Sequence, residues 1–376
     1  MKIAYLHNLP LEYYPPATNT LDLLGREKKS EVCAYTTHNR KNRKAYKNKA
    51  VTVYRSHSPN PESNFLWRAG VALWWHLRTA VSMWAFKPDA IIYFEPHSAI
   101  AAYLYYRFFR GNARLFIHHH EYYAPEDYLR PGMRLPHLGC RLEQSYLFRH
   151  AAWISQTNED RLRLAKEHHP KVPDDVWRTL PNYPPKDWCS KEKRTDAAKK
   201  EGRLRLIYVG SASFQDTYIR EIVRWVASHP DTVLLHISGY NVAQDAWEWL
   251  EKERFPNVTF DANGYEYDEL PNILVDFDIG LVLYKGNTTN FVYNVPNKVF
   301  EYLACGLDVW YPKEMKGMRN MDWGGINKPL EIDFQLLTSH HSINYPPRAR
   351  NAHLKPDFPF SAENALLPLL DELGIY

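Results

Sequence analysis

Twice along this chain, short apolar runs of strand character alternate with stretches of helical spacing, and a charged, proline-flanked stretch, Lys186 to Glu201, separates the two series. No other feature narrows the fold as much, because strands alternating with helices are joined by crossovers and pair in parallel. In the first series the strand-like segments are Lys2–His7, Glu31–Tyr35, Lys87–Phe94 (a turn, then a strand), Arg114–His118 and Ala151–Gln156. Helical spacing falls on Phe65–Phe86, Ser98–Phe109, Arg141–His150 and Asn158–Glu167, while Asn8–Asn19 reads as a polar loop. The second series opens at Arg203–Gly210 and continues with strands at Val233–Ile237, Val258–Phe260, Ile279–Tyr284 and Leu307–Trp310. Its helices are expected at Tyr218–Ser228, Ala243–Lys252, Asp268–Val275 and Pro296–Ala304. The expectation is an α/β protein of two parallel-sheet domains, residues 1–184 and 203–358, joined by a linker at 185–202 and facing each other across a cleft. A last helix, Ser361–Leu373 within 359–376, is expected to cross back to the first domain.

Length and composition fit that plan. A chain of 376 residues has room for two domains, taking roughly 100–200 residues for each. Forty-five per cent apolar residues support real cores, yet no uninterrupted apolar run reaches the ~18 residues of a membrane span. The nearest, Ala90–Phe109, is broken by Glu95, Pro96, His97 and Arg107. Met1-Lys-Ile-Ala-Tyr-Leu runs straight into a strand without the layout of a signal peptide, and the four cysteines are scattered, so a reducing cytoplasm is the expected setting. A net charge of +4 demands no nucleic acid. The 26 tyrosines and 12 tryptophans suit either sugar faces or ordinary cores.

The most informative stretch is Val295–Gly306, with Pro296 suited to a helix start and Gly306 to a helix stop. Val299 and Leu303 recur at core spacing, and Asn294, Lys298, Glu301 and Cys305 fall on a more polar face. Such a helix start offers an anion free N–H groups, the positive end of the dipole and Lys298. Glu301, one turn on, can accept hydrogen bonds from a polyol such as a ribose. The bland alternative is a solvated helix with a surface Lys–Glu pair.

Three adjacent histidines, His118 to His120, followed by Glu121, invite a metal hypothesis. Consecutive strand residues point to alternating faces, so one His or Glu121 projecting from the strand's carboxyl end is the better reading. Asp276-Phe-Asp278 has metal-site spacing but sits where a strand-start cap belongs. No metal is expected. The chain lacks Gly-x-Gly-x-x-Gly in the first loop, a phosphate-binding Gly-x-x-x-x-Gly-Lys-Ser/Thr and a Gly-x-Ser-x-Gly elbow. The basic run Arg40–Lys49 is either a solvated loop or a patch for anionic lipid head groups or a pyrophosphate-linked acceptor. The broad apolar coverage of Phe65–Phe86 predicts burial between layers; an exposed face would instead favour peripheral docking on an anionic membrane.

A series of motifs spans nearly the whole chain: Lys87-Pro-Asp-Ala-Ile-Ile, His118–Glu121, Leu142-Glu143 ahead of Ala151-Ala-Trp-Ile-Ser, Pro181-Asn182-Tyr183-Pro184, Tyr208-Val-Gly210, Ile237-Ser-Gly239, Asn257-Val-Thr-Phe, Gly264–Pro271, Asp278-Ile-Gly-Leu-Val and Pro296–Gly306. In this order they resemble the GT-B glycosyltransferases of the large family-four, or group 1, type. The resemblance implies two Rossmann-like parallel-sheet domains and transfer of a sugar from a nucleotide-sugar donor to a hydroxyl of a glycan or lipid-linked acceptor. It implies work at the inner face of the cell membrane in surface polysaccharide synthesis, no cofactor, no catalytic metal and mostly retained anomeric configuration. By the same resemblance Glu301 binds the donor ribose, Lys298 lies near the diphosphate, the loop at Gly210 and Ser211 contacts the donor phosphates and Tyr265 lies near the base. Asn294 and Asn297 join this donor set, and Lys285 is the candidate to meet, with Lys298, the phosphate charge that the family's missing basic residues leave. Glu95, His97 and Tyr122 fall on the acceptor side, with His120 and Glu121 as catalytic candidates. The chain departs from the family pattern in three places. Pro16-Ala-Thr-Asn19 replaces a Gly-Gly pair, Ser211–Tyr218 lacks the usual Arg and Lys-Gly, and Tyr293 stands where a first Glu belongs. Two rivals are a nucleotide-sugar epimerase of related fold, which needs no acceptor, and a non-catalytic glycan- or partner-binding scaffold derived from a transferase.

Overall fold

The computed structural model describes residues 1–39, 43–58, 62–109, 112–190, 202–239, 241–326, 328–337 and 358–376. Two units divide the chain: Met1–Asn182 with Ala362–Tyr376, and Tyr183–Ser361.

The first unit runs β1 (Lys2–Leu6), α1 (Pro15–Arg26), β2 (Glu31–Thr37), β3 (Val51–Ser56), α2 (Phe65–Phe86), β4 (Ala90–Phe94), α3 (Glu95–Phe108), β5 (Arg114–His119), α4 (Arg134–Ser145), β6 (Ala151–Gln156), α5 (Glu159–His168) and β7 (Trp177–Thr179). Its seven strands are parallel in the order β3-β2-β1-β4-β5-β6-β7. Strand side chains alternate between two cores. On β1, Ala4 and Leu6 pack with Trp75 and Met83 of α2 and Ala99 and Ala102 of α3. Ile3 and Tyr5 pack with Leu21 and Leu24 of α1 and with Leu366 and Leu370 of the helix Ala362–Leu373 near the chain's end.

The second unit runs β8 (Leu204–Val209), α6 (Ile219–Ala227), β9 (Val233–Ser238), α7 (Gln244–Glu253), β10 (Val258–Asp261), α8 (Leu270–Leu274), β11 (Ile279–Leu281), α9 (Thr289–Val292), α10 (Asn297–Ala304), β12 (Asp308–Pro312), α11 (Lys316–Asn320) and β13 (Leu330–Ile332); the helix Ala362–Leu373 of the first unit is α12. Its six strands are parallel in the order β10-β9-β8-β11-β12-β13. Both sheets thus have the doubly wound pattern, with the strand order reversing beside the first strand of each.

Several expectations are corrected. The loop Asn8–Asn19 contains the start of α1: Pro15 and Pro16 occupy its first turn, and Ala17, Leu21 and Leu24 face the core. Strands β3, β7 and β13 and helices α9 and α11 went unread, all but β3 being five residues or fewer. Helix α4 begins seven residues before the expected Arg141, and within it Gly139 comes so close to the backbone of Pro96 that a Cβ would overlap the carbonyl oxygen. Only one side of α2 is covered: Trp75, His76, Thr79, Ala80 and Met83 are buried, while Leu66, Trp67, Trp74 and Trp84 lie open. Most of the linker, residues 191–201, and residues 40–42 of the basic run lie outside the described residues. Of that run's remainder, Tyr46 and Asn48 are tied to Asp22 and Glu12, and Lys44, Lys47 and Lys49 are exposed.

One close packing fixes α10 on its sheet. The Tyr302 ring lies flat on Gly280 of β11, where any Cβ would overlap it, and the Tyr302 hydroxyl accepts a hydrogen bond from Val209 N of β8 at 3.1 Å. Gly280→Ala should therefore cost about 1–3 kcal/mol in urea unfolding through overpacking. Gly70→Ala, at an exposed helical position with open space around it, should instead stabilise by about 0.5–1 kcal/mol.

Candidate functional site

Seated this way, α10 aims its first turn at the carboxyl end of β8. Pro296 caps it in extended conformation, and Lys298 reaches back so that its Nζ would lie 2.5 Å from a Cβ at Gly210. Gly210 has φ +148 and nests against Gly239, so the loop at the end of β8 is held open by two glycines. The Lys298 ammonium is buried, has no hydrogen-bond partner, and stands over the rings of Tyr208 at 4.7 Å and Tyr284 at 5.0 Å. Burial pushes the Tyr208 hydroxyl up to about 12, with the Lys298 charge pulling the other way. One turn on, burial raises the Glu301 carboxyl to about 7, again against the pull of Lys298. The two form no ion pair, so both keep their full capacity for a ligand. A cation and a carboxyl in this arrangement can receive a diphosphate and a pair of hydroxyls.

Other residues of the expected donor set have definite places. Ser211 follows Gly210, and its carbonyl accepts from the Tyr208 hydroxyl at 2.5 Å. Tyr265 is hydrogen-bonded to His236 Nε2 at 2.8 Å. Asn294 and Asn297 flank Pro296, both half-buried. Lys285 is engaged elsewhere: it donates to the Phe214 carbonyl at 2.8 Å and lies 3.6 Å from Glu221. Lys298 is therefore the cation of this loop cluster that retains an open valence. Cys305 is not on a polar face; it is fully buried, as are Tyr302 and Phe300 beside it. Asp278 accepts from Arg205 N at 2.9 Å, the strand-start cap its position suggested.

In the first unit the carboxyl ends of β1, β4 and β5 gather a second cluster. Glu95, at the start of α3, has φ +61, a conformation that is strained for any residue but glycine. Its Oε1 accepts from His120 N at 2.5 Å and Glu121 N at 3.0 Å, while Oε2 is buried without a partner. Burial raises the Glu95 carboxyl to about 7. The His120 ring stacks on Phe94, and neither of its nitrogens has a hydrogen-bond partner. Burial holds it neutral, well below the usual imidazole range, and does the same to His7, His76, His97 and His118. His118 bonds Ser155, and His119 turns to Glu143 at 3.1 Å, which raises its pKa despite burial. Among the described residues no group of three His, Cys, Asp or Glu is arranged to hold a metal ion.

Glu121 is fixed by Arg161, whose guanidinium lies 3.3 Å from its Oε2 and also donates to the His120 carbonyl at 2.8 Å. Beside it opens a cavity of about 230 Å³, lined by His119, Glu121, Tyr122, Tyr123, Arg141 and Glu143 among others. Tyr122 is buried and stacks on His168. His97 gives its carbonyl to Asn8. Arg161 was not singled out in the sequence, and Glu143, there only as part of the Leu142-Glu143 motif, and His7, there only as the end of a strand, were given no site role. Arg161 sits in an ordinary helix of alternating charge, and nothing local distinguishes it.

The two sheet orders and the positions of these clusters invite comparison with known proteins. Against family models and curated proteins the sequence matches none. Against solved structures the likeness runs over the whole chain. The lipopolysaccharide outer core galactosyltransferase WaaB matches 100% of this chain and 99% of its own at 14% identity and a TM-score of 0.58. HepE of Anabaena, solved with UDP and glucose, matches 100% of both chains at 12% identity and a TM-score of 0.64. The α,α-trehalose 6-phosphate synthase of Burkholderia multivorans matches 100% and 96% at 12% identity and 0.65. The fold is that of the GT-B glycosyltransferases. A UDP-N-acetylglucosamine 2-epimerase from Listeria monocytogenes is a weaker likeness, covering 82% of this chain at a TM-score of 0.52.

Substitutions and pH test the candidate site. Lys298→Met should lower affinity for a nucleoside diphosphate about 10–100-fold in calorimetry, the worth of a charged hydrogen bond. Because the ammonium is buried and lacks a hydrogen bond, the same change should leave the free fold at least as stable. Unchanged affinity in both Lys298→Met and Glu301→Ala would remove the assignment. For pH, Glu95 and Glu301 have folded pKa values raised to about 7, so the stability they favour is present in acid and lost as pH rises from their unfolded values through 7. Glu95→Gln should flatten that decline, measured as urea unfolding free energy between pH 5 and pH 8.

Proposed function

We propose that the protein is a glycosyltransferase that moves a sugar from a nucleoside-diphosphate sugar to a hydroxyl of a glycan or lipid-linked acceptor. Lys298 carries the reading: a buried ammonium with no hydrogen-bond partner, set at a helix start beside an open glycine loop, is an anion site awaiting its charge. In this reading the diphosphate lies against Gly210, Ser211 and the first turn of α10, with Asn294 and Asn297 beside it. Glu301, ionised, accepts hydrogen bonds from the ribose hydroxyls, and Tyr265 lies toward the base. UDP is the first nucleotide to test, because HepE was solved with it.

In the reaction the bond between the anomeric carbon and the phosphate oxygen breaks and a bond from that carbon to the acceptor oxygen forms. The nucleoside diphosphate leaves with the bonding electron pair, stabilised by Lys298 and the helix dipole. These supply positive charge from the chain itself, consistent with a metal-independent transfer. The acceptor proton goes to a phosphate oxygen on the retaining route, which the family resemblance favours. On an inverting route it would go to Glu121, or to His120, whose neutral ring can accept a proton. The cavity beside Glu121, which Tyr122 lines, is the acceptor side in this reading, together with Glu95 and His97 at the start of α3. The setting is the cytoplasmic face of the cell membrane, in synthesis of a surface polysaccharide.

A mass-spectrometric screen of nucleotide sugars with the protein alone should detect slow release of nucleoside diphosphate and free sugar. Interconversion of the sugar without release would instead identify an epimerase. Absence of any thermal shift across a panel of nucleoside diphosphates would identify a binding scaffold; saturation at a hundred times Kd should raise stability by about 2.7 kcal/mol.

A further inference from the structure

The open side of α2 has no counterpart elsewhere on the described surface. Leu66, Trp67, Leu73, Trp74, Leu77 and Trp84 are 43–80% exposed, and at 100° per residue they fall, with Val81, in an arc of about 120°. Solvent-facing apolar surface of this size on a monomer marks a docking site. The neighbouring helices extend it. Both α2 and α4 pack against α3, and Arg134 of α4 stands over the Phe65 ring at 5.4 Å, while Arg107 of α3 stands over the exposed Phe108.

Charge decides what this surface meets. Arg68, Arg78, Arg107, Arg134 and Arg141 are exposed on these helices. The only carboxylates that the helices carry, Glu95 and Glu143, are buried. A second copy docking by the same face would bring arginines against arginines, with no exposed carboxylate on these three helices to pair them and Glu62, just ahead of α2, as the acidic residue beside them. An acidic bilayer meets both parts of the surface: tryptophans settle at the level of the head groups, leucines enter the acyl boundary, and arginines lie among lipid phosphates.

We propose that the exposed face of α2, with the arginines of α3 and α4, docks this protein onto an anionic lipid bilayer. The arrangement deepens the transferase reading by bringing the first unit to the surface where a lipid-linked acceptor resides, and its use in catalysis rests on that reading. The docking itself does not, and is measured without nucleotide.

The test is co-sedimentation of the full chain with phosphatidylcholine vesicles containing phosphatidylglycerol, against phosphatidylcholine alone. Wild type should bind the acidic vesicles, with a blue shift of tryptophan emission, and binding should weaken at high salt. The double variant Trp67→Glu and Trp74→Glu should partition about tenfold less; Arg78→Glu with Arg107→Glu should lose the preference for acidic lipid, and this second variant decides the matter if the first fails to fold. Circular dichroism and the nucleotide thermal shift should match wild type in both, which separates failed docking from a failed donor site. The proposal is overturned if wild type stays in the supernatant with acidic vesicles or if neither folded variant binds less. It is equally overturned if analytical ultracentrifugation finds a dimer that the tryptophan variant dissolves.

Discussion

Parallel strands can be joined only by crossovers that leave the carboxyl edge of a sheet and return to its amino edge, and that constraint fixes where function can lie in this protein. Every strand delivers its following loop to one edge. In the first unit the ends of β1, β4 and β5 therefore bring His7, Glu95 and His120 together although they are separated by most of the domain's sequence. In the second unit the end of β8 meets the start of α10, because Tyr302 seats that helix on Gly280 and Val209.

At both edges, ionisable groups are buried without the partners that would make them ordinary structural members. Arg55 with Glu12 and Arg205 with Asp278 are paired, as buried or half-buried charges normally are. Lys298 has only the faces of two tyrosine rings, Glu301 has no ion pair, Glu95 leaves one oxygen unmatched on a strained backbone, and His120 leaves both nitrogens unmatched. Each arrangement leaves buried polar capacity unmatched, which costs stability. Groups kept in that condition are candidates to meet charge and hydroxyls brought by a ligand.

The elements with long, regular patterns were legible in the residues: Phe65–Phe86 as a helix to the residue, Ala151–Gln156 as a strand, and the alternation of the second half almost throughout. Short edge elements such as β7 and β13, three residues each, carry too little pattern to be read alone. Helix α1 was hidden because its two prolines and polar residues look like a loop until Leu21 and Leu24 find the core. Lys298 and Glu301 were legible as a pair because helical spacing sets them on one side of the same turn. The engagement of Lys285 by Phe214 and Glu221 was not, since its partners lie some seventy residues earlier.

By itself the sequence determined the class of fold, the two series of strands and helices, and the helix start most suited to an anion, because these depend on local period and on residues a few positions apart. Tertiary structure alone decided which charges stay unpartnered, which carboxyls are driven up toward neutral pH, and that one side of α2 is left open. Those properties depend on burial and on neighbours brought from distant strands, and no local pattern encodes them: the same apolar helix reads identically whether a second layer covers it or not.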